Sequence, residues 1–374
     1  MNNKKIVKAL GLSSGGLDSI LSALILQKQG IDVQWISFKT PFFSPASAIK
    51  ASKMTGVPLR VEEITHRYMT MLESPYAGYG KNMNPCMDCH SLMFELAGKI
   101  MDQEGYDFLF SGEVVGQRPM SQNKNSMNYV EKHSGYKGRI LRPLSAKILP
   151  ATPMEQKGIV TRDALLGISG RSRKIQIQMA KEFGVTDYPE PAGGCLLTDK
   201  GFSRRLMDLM QETRRRKAGL ECDRKGVIEK SRRDMCESGQ VNVIKDSPVM
   251  EKLYSRRDLY LLKFGRHFRI DEDIKVVVGK NQADNSKIES MYRQDRDIAL
   301  GHSELPGPFV LIPWGAFIEK AKINAGISIA GALCAGYTKA SPGSSAQIVV
   351  RSPEIEQKIT VTVPEPGRFR DMML

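Results

Sequence analysis

Six consecutive residues, Ser14, Gly15, Gly16, Leu17, Asp18 and Ser19, have the composition of a phosphate cradle. They lie between an apolar run, Ile6 to Leu12, that reads as a buried strand and a run from Ile20 to Gln27 that reads as a helix closing at Gly30. A glycine turn at a helix N-terminus aims backbone N–H groups at an anion, and the helix dipole favours negative charge there. Gly15 and Gly16 allow close approach and positive φ. Ser14 and Ser19 can donate hydroxyl hydrogen bonds. Asp18 would repel phosphate unless a cation bridges the two, which points to Mg²⁺ or to a positioning role. The order fits neither a Walker A loop, which needs a lysine, nor a dinucleotide fingerprint, which needs another glycine spacing.

The second reactive set is thiol-based. Cys86 and Cys89, followed by His90, open a long helix expected to run to about Asp102. Two thiols three residues apart at a helix start can share a metal or a redox event, and the dipole there lowers a thiol pKa. The C-x-x-C-H string also fits haem attachment, but that needs export, and the N-terminus reads as a first strand rather than a signal peptide. Cys195 follows Gly193 and Gly194, which leave its thiol accessible. The residues admit four readings: zinc on Cys86, Cys89, His90 and Cys195, a dithiol–disulfide couple, an iron–sulfur cluster on three cysteines, or inert thiols. Cys222 and Cys236 have no ligand spacing.

Alternating elements must position these groups. Strands are expected at 33–38, 57–64 and 106–110, and helices at 46–53, 154–166 and 172–183. Alternation of this kind argues for a parallel α/β sheet, with ligands at the carboxyl ends of its strands. The fourth strand leads into Ser111, Gly112, Glu113, Val114, Val115, Gly116 and Gln117, a small and polar loop suited to a substrate edge. Arg142, in the run Arg142-Pro143-Leu144, can pair with phosphate bidentately or form a surface ion pair. Arg171, Arg173 and Lys174 crowd a helix start, where positive charge opposes the dipole, so they are expected to face a ligand or RNA.

The chain has 374 residues, enough for two or three domains. Its formal charge of +14 favours a polyanionic partner, nucleic acid first. No stretch approaches 18 apolar residues, so no membrane span and a cytoplasmic location are expected. Residues 201–257 read as a basic helical connector carrying Arg214, Arg215, Arg216 and Lys217, with further pairs at Arg232-Arg233 and Arg256-Arg257, able to touch RNA phosphates. Residues 258–374 alternate strands with a polar turn at 279–287 and a helix at 316–337, an α+β pattern.

The motif SGGLDS resembles the pyrophosphate loop of the PP-loop ATP pyrophosphatase superfamily, whose domain is adenine nucleotide alpha hydrolase-like. The SGExxGQ skeleton, the RPL segment and the GGC segment, in that order, resemble those of the tRNA 4-thiouridine synthases and related 2-thiouridylases. The resemblance covers about residues 1–200. It implies ATP on Ser14, Gly15, Gly16, Asp18, Ser19, Gly112, Gln117 and Arg142, with Phe38 near the adenine. It implies that Asp18, Cys86, Cys89 and Cys195 are catalytic and that the three cysteines hold a [4Fe–4S] cluster, as in cluster-dependent tRNA thiolases. The alternative is a persulfide on Cys195 working with Cys86 or Cys89. The sulfur would come from a cysteine desulfurase-derived persulfide or from inorganic sulfide. Residues 258–374 resemble the RNA-associated NFACT-R domain, with Asp297, His302, Gly307 and Val310 near its spacing, which implies RNA contact at His302. The activity so implied is ATP-dependent tRNA sulfurtransfer to a uridine, giving a thiouridine. Two rival classes are a PP-loop ligase or sulfur-transfer enzyme acting on a small molecule or another RNA, and a non-catalytic RNA-binding protein.

Overall fold

The structure, a computed structural model, describes residues 6–118, 120–189, 195–224 and 255–374, the side chains of 216–224 excepted. Gly193, Gly194, the Arg216, Lys217 and Cys222 side chains, Arg232, Arg233 and Cys236 therefore lie outside what is described. The chain divides into two compact units, Met1–Asp199 and Lys200–Leu374.

The first unit runs β1 (Lys8–Leu12), α1 (Leu17–Gln27), β2 (Asp32–Lys39), α2 (Ala46–Thr55), β3 (Leu59–Glu63), α3 (Thr65–Glu73) and α4 (Cys86–Glu104). It continues with β4 (Phe108–Ser111), α5 (Lys124–Ser134), β5 (Ile140–Leu141), the single turn α6 (Pro153–Gln156) and α7 (Lys174–Glu182). The five strands form a parallel sheet in the order β3-β2-β1-β4-β5. Both faces of β1 are covered, because Ala9 and Leu10 are each fully buried. Such burial explains an apolar run in place of an alternating one. Ala9 packs in one cluster with Leu17, Ile20 and Leu21 of α1, Trp35 of β2 and Phe110 of β4. Each large side chain fully buried in this way contributes about 1.5–3 kcal/mol.

The chain passes from β1 outward to β3 on one side, then returns to place β4 and β5 on the other. The topological switch point is therefore between β1 and β4, where open parallel sheets bind ligands at their carboxyl ends. The phosphate loop leaves β1 and the SGEVVGQ loop leaves β4 at that point, Leu12 pairing with Ser111 at the end of the ladder.

One expectation fails locally. The helix expected over 154–166 is only the single turn of α6, held by a capping box between Thr152 and Glu155. The Ile159 and Val160 N–H groups both return to the Met154 carbonyl, which closes the turn, and a short 3₁₀ turn at Arg162–Ala164 follows.

The second unit begins with α8 (Lys200–Arg224) and α9 (Arg256–Leu261). It continues with β6 (Arg266–Arg269), β7 (Lys275–Val278), α10 (Gln282–Ser290), β8 (Ile298–His302), β9 (Val310–Ile312), α11 (Lys320–Gly336), β10 (Ser345–Arg351) and β11 (Glu356–Thr362). Its six strands pair antiparallel in the order β11-β10-β8-β9-β7-β6. Ile323, Ile327, Ala330 and Leu333 of α11 share a core with the sheet residues Val276, Leu300, Ile348 and Val361. A buried ionic cluster ties α8 to this sheet. Asp208 accepts two 2.7 Å bonds from Arg269 and one of 2.8 Å from Lys275. Among the described residues no helix is long and apolar enough to cross a membrane.

Candidate active site

The phosphate loop is built by backbone constraint. The Ser13 N–H donates to Ile36 O of β2 at 2.9 Å, anchoring the strand end. The Gly15 and Gly16 N–H groups turn onto the Ser13 and Ser14 hydroxyls at 3.2 and 3.4 Å, and the Ser19 hydroxyl donates to Gly16 O at 2.7 Å. No side chain caps α1 at Gly16, so its first N–H groups remain for an anion. Gly15 adopts φ +75, and a Cβ there would lie 2.1 Å from the Ser47 carbonyl carbon of α2. Only glycine satisfies both the left-handed backbone and the close approach.

Gly112 makes the matching contact from β4. A Cβ on it would lie 2.5 Å from the Asp18 carbonyl carbon and the Ser19 nitrogen. This approach lets Gln117 reach back and donate to Asp18 Oδ2 at 3.0 Å. Asp18 Oδ1 is buried with no hydrogen-bond partner. Burial pushes the Asp18 pKa up, while Gln117, Arg173, Gln176 and Arg118 pull against it. An orphaned carboxylate oxygen beside an anion cradle fits a hard cation such as Mg²⁺.

Glu113 organises the floor of the β4 loop. It accepts from Arg142 Nε at 2.9 Å and from Ser111 at 3.1 Å, and lies 3.0 Å from His90 Nδ1. Burial opposes its ionisation, but the Arg142 guanidinium and His90 hold the carboxyl down at about 2. An ionised Glu113 can only accept, so the His90 Nδ1–H donates to it. The ion pairing of Arg142 is buried rather than on the surface. Arg142 is 3% exposed and paired with both Glu113 and Glu131.

Cys86, Cys89 and Cys195 converge although more than a hundred residues separate the pair from the third. None is in a disulfide. Burial pushes the Cys89 thiol up to about 12, with Cys195 and Cys86 adding to the rise and the Tyr68 hydroxyl opposing it. Burial and Cys86 also raise Cys195, against the Leu197 backbone and the Arg118 charge. The depressed thiol pKa expected from the α4 dipole is thus overturned for Cys89, because desolvation and neighbouring sulfur outweigh the dipole. Among the described residues no three His, Cys, Asp or Glu side chains form a ligand set for a single metal ion. Three thiols whose ionised forms would repel one another are a donor set whose deprotonation a cationic cluster or a neighbouring arginine would favour.

The positive charge of Arg118 is felt in both parts of the site, by Asp18 at the phosphate loop and by Cys195 at the thiols. Arg118, Gln176 and Tyr68 carry no signal of their own in the sequence. The R-P-M run after SGEVVGQ is too short a signal to single out that arginine. Phe38 is buried at the carboxyl end of β2. The Arg173 charge lowers the Asp18 pKa, while Arg171 and Lys174 are exposed. Arg214 and Arg215 are exposed on α8. His302 Nδ1 accepts from the Glu304 and Leu305 N–H groups at 3.1 and 3.0 Å, so it also closes the turn after β8.

Comparison with known proteins bears on both units. Residues 6–147 match the family described as Thiamine biosynthesis protein (ThiI), and residues 265–368 match the NFACT protein RNA binding domain. A tRNA-specific 2-thiouridylase MnmA from Sulfurimonas denitrificans is 31% identical over 123 residues, covering 30% of this chain and 35% of that protein. A "Probable tRNA sulfurtransferase" from Acholeplasma laidlawii is 29% identical over 143 residues, covering 37% of this chain and 34% of that protein. The chain spans about a third of the length of the curated relatives it matches. A crystal structure of a 4-thiouridine synthetase–RNA complex with bound ATP is similar at 21% identity and a TM-score of 0.34, covering 48% of this chain and 41% of that one.

Proposed function

We propose, for a chain that joins a ThiI-like PP-loop domain to an NFACT-R-type RNA-binding domain, that it is an ATP-dependent tRNA sulfurtransferase forming a thiouridine. The observation that carries this reading is that the β4 loop is tied to both chemistries: Gln117 donates to Asp18 at 3.0 Å, and Glu113 lies 3.0 Å from His90, the neighbour of Cys89. The relatives' printed activities and the +14 charge support tRNA as the substrate.

In this reading the α1 N-terminus and the Ser14–Ser19 loop hold the β and γ phosphates of ATP, and Asp18 would hold Mg²⁺, which would supply positive charge to offset that of the phosphates. A uridine carbonyl oxygen attacks the α-phosphorus, and pyrophosphate leaves with the electron pair of the broken P–O bond. Adenylation turns a poor leaving oxygen into a good one. A sulfur nucleophile then attacks the activated carbon, and AMP departs. Arg118 offsets negative charge building between the phosphates and the thiols. Cys86, Cys89 and Cys195 would hold a [4Fe–4S] cluster, which supplies an open iron for a sulfur ligand. In the alternative, Cys195 carries the sulfur as a persulfide and Cys86 or Cys89 displaces it, forming a disulfide. Glu113, fixed by Arg142, positions His90 beside the cysteine turn.

The test incubates the anaerobically purified protein with ATP, sulfide and an unmodified tRNA transcript. Pyrophosphate release that depends on tRNA, with a thiouridine in the digested nucleosides, is the expected result. Pyrophosphate release indifferent to tRNA, with no thionucleoside, would sink the proposal.

A further inference from the structure

The thiol turn is bolted to an exposed aromatic stack that the chemistry above does not use. Asp88 lies between Cys86 and Cys89 in the first turn of α4, and is buried. Its Oδ2 accepts from the Ala77 N–H at 2.8 Å, and its Oδ1 from the Tyr129 hydroxyl at 2.7 Å. One carboxylate thus fixes both the loop carrying Tyr76 and the helix α5 carrying Tyr129. Tyr129 and His133 stand four apart on α5, a spacing that makes them neighbours on a helix face. Their rings stack at 4.0 Å and 20°. The Tyr76 ring joins them, 4.9 Å from His133 and 6.5 Å from Tyr129.

Tyr76 is 82% exposed, the most exposed large apolar side chain among the described residues. A ring so placed is held from one side and presents the other to solvent. The same loop and helix carry Lys81, Lys124 and Lys132, all exposed. Aromatic faces interleaved with lysine suit single-stranded nucleic acid, where bases stack and phosphates pair with the charges. A protein partner is disfavoured because lysine is depleted from protein interfaces.

We propose that Tyr76, backed by Tyr129 and His133, is a stacking platform for an unpaired RNA base next to the modified uridine. The proposal rests on the tRNA sulfurtransferase reading and deepens it. The Asp88 bolts give the platform its purpose. A base stacked on Tyr76 is held at a set offset from Cys86 and Cys89, so stacking a neighbour orients the target base at the thiols. Modification enzymes must reach their base outside its stack, and an aromatic surface compensates the unstacked neighbour.

The test measures tRNA binding by fluorescence anisotropy for the wild type, Tyr76→Ala and Tyr76→Phe over a salt series, with ATP binding and thermal melting as controls. Tyr76→Ala should weaken tRNA binding by about 5- to 150-fold, the range for loss of one base–aromatic stack. Its salt slope should match the wild type, because stacking releases no counterions. Tyr76→Phe should bind like the wild type, and ATP binding and melting should not change. Wild-type tRNA affinity in Tyr76→Ala would overturn the platform while leaving the sulfurtransferase reading standing. Unaltered tRNA binding with loss of self-association in sedimentation would overturn it in favour of a protein interface. A wild-type protein that binds no tRNA at any salt would overturn the sulfurtransferase reading, and the platform with it.

Discussion

Replacing Glu113 by glutamine tests whether the buried network beneath the β4 loop is arranged as described. The substitution keeps the shape and removes one charge. Arg142 would then face a neutral amide on one side and keep only Glu131 on the other, while already carrying one buried guanidinium nitrogen, Nη2, without a partner. Two routes give the magnitude. Loss of one partner from a buried ion pair costs about 3–5 kcal/mol. A carboxyl held at about 2 instead of its ordinary 4.5 corresponds to about 3 kcal/mol of preference for the charged form. The two agree, so Glu113→Gln should destabilise the first unit by about 3 kcal/mol at pH 7. The sign with pH follows from a depressed carboxyl pKa. The Glu113 contribution is fully present above its ordinary value of 4.5 and is lost as pH falls toward about 2. The assay is urea unfolding read by Trp35, fully buried in the first unit, in a Trp314→Phe background that silences the chain's other tryptophan. Adding Arg142→Met removes the stranded cation, and should recover at least about 1 kcal/mol relative to the sum of the two single effects. A loss below about 1 kcal/mol for Glu113→Gln, or strict additivity in the pair, would refute the reasoning.

Three further outcomes are expected. Gly15→Ala must place a Cβ against the Ser47 backbone at φ +75, so ATP affinity by equilibrium dialysis should fall at least ~10-fold, from a left-handed penalty of ~1–2 kcal/mol plus the clash; unchanged affinity would show that the loop does not hold the phosphates as built. Alkylation of Cys195 by iodoacetamide, followed by peptide mass spectrometry, should stay slow at pH 7 and accelerate only above the ordinary thiol pKa of 9.0, and Arg118→Ala should move that rise to still higher pH; a plateau near neutrality would contradict the raised pKa. Asp208→Asn leaves the buried Lys275 and Arg269 short of their shared carboxylate and should cost the second unit about 3–5 kcal/mol, read by Trp314 fluorescence, whereas a change within error would mean that the cluster is hydrated in solution.

Which features were legible depends on the range of the interactions that make them. The phosphate loop, the C-x-x-C helix start and the strand–helix alternation are local patterns, set by glycine, cysteine spacing and apolar periodicity within about ten residues. The short turn at Met154 was not legible, because the pattern over 154–166 is compatible with a helix until the Ile159 and Val160 amides fold back on Met154 O. Helices α3 and α5 went unread, and with them Tyr68 beside Cys89 and the Tyr76–Tyr129–His133 stack. Arg142 shows a different limit, since its RPL context identifies the segment but not which carboxylates it will meet.

The linear chain sets the chemistry on offer: an anion cradle with a carboxylate in its first helical turn, three thiols, and an excess of positive charge. These are properties of residue type and short spacing. Tertiary structure decided how they combine. The reversal of strand order at β1 and β4 brings Gly112 onto the Asp18–Ser19 backbone and Gln117 onto the Asp18 carboxylate. Packing around Cys89 reversed the pKa shift that its helix position alone would give. Burial and the sum of neighbouring charges depend on distances in space, and those exist only once the sheet has closed.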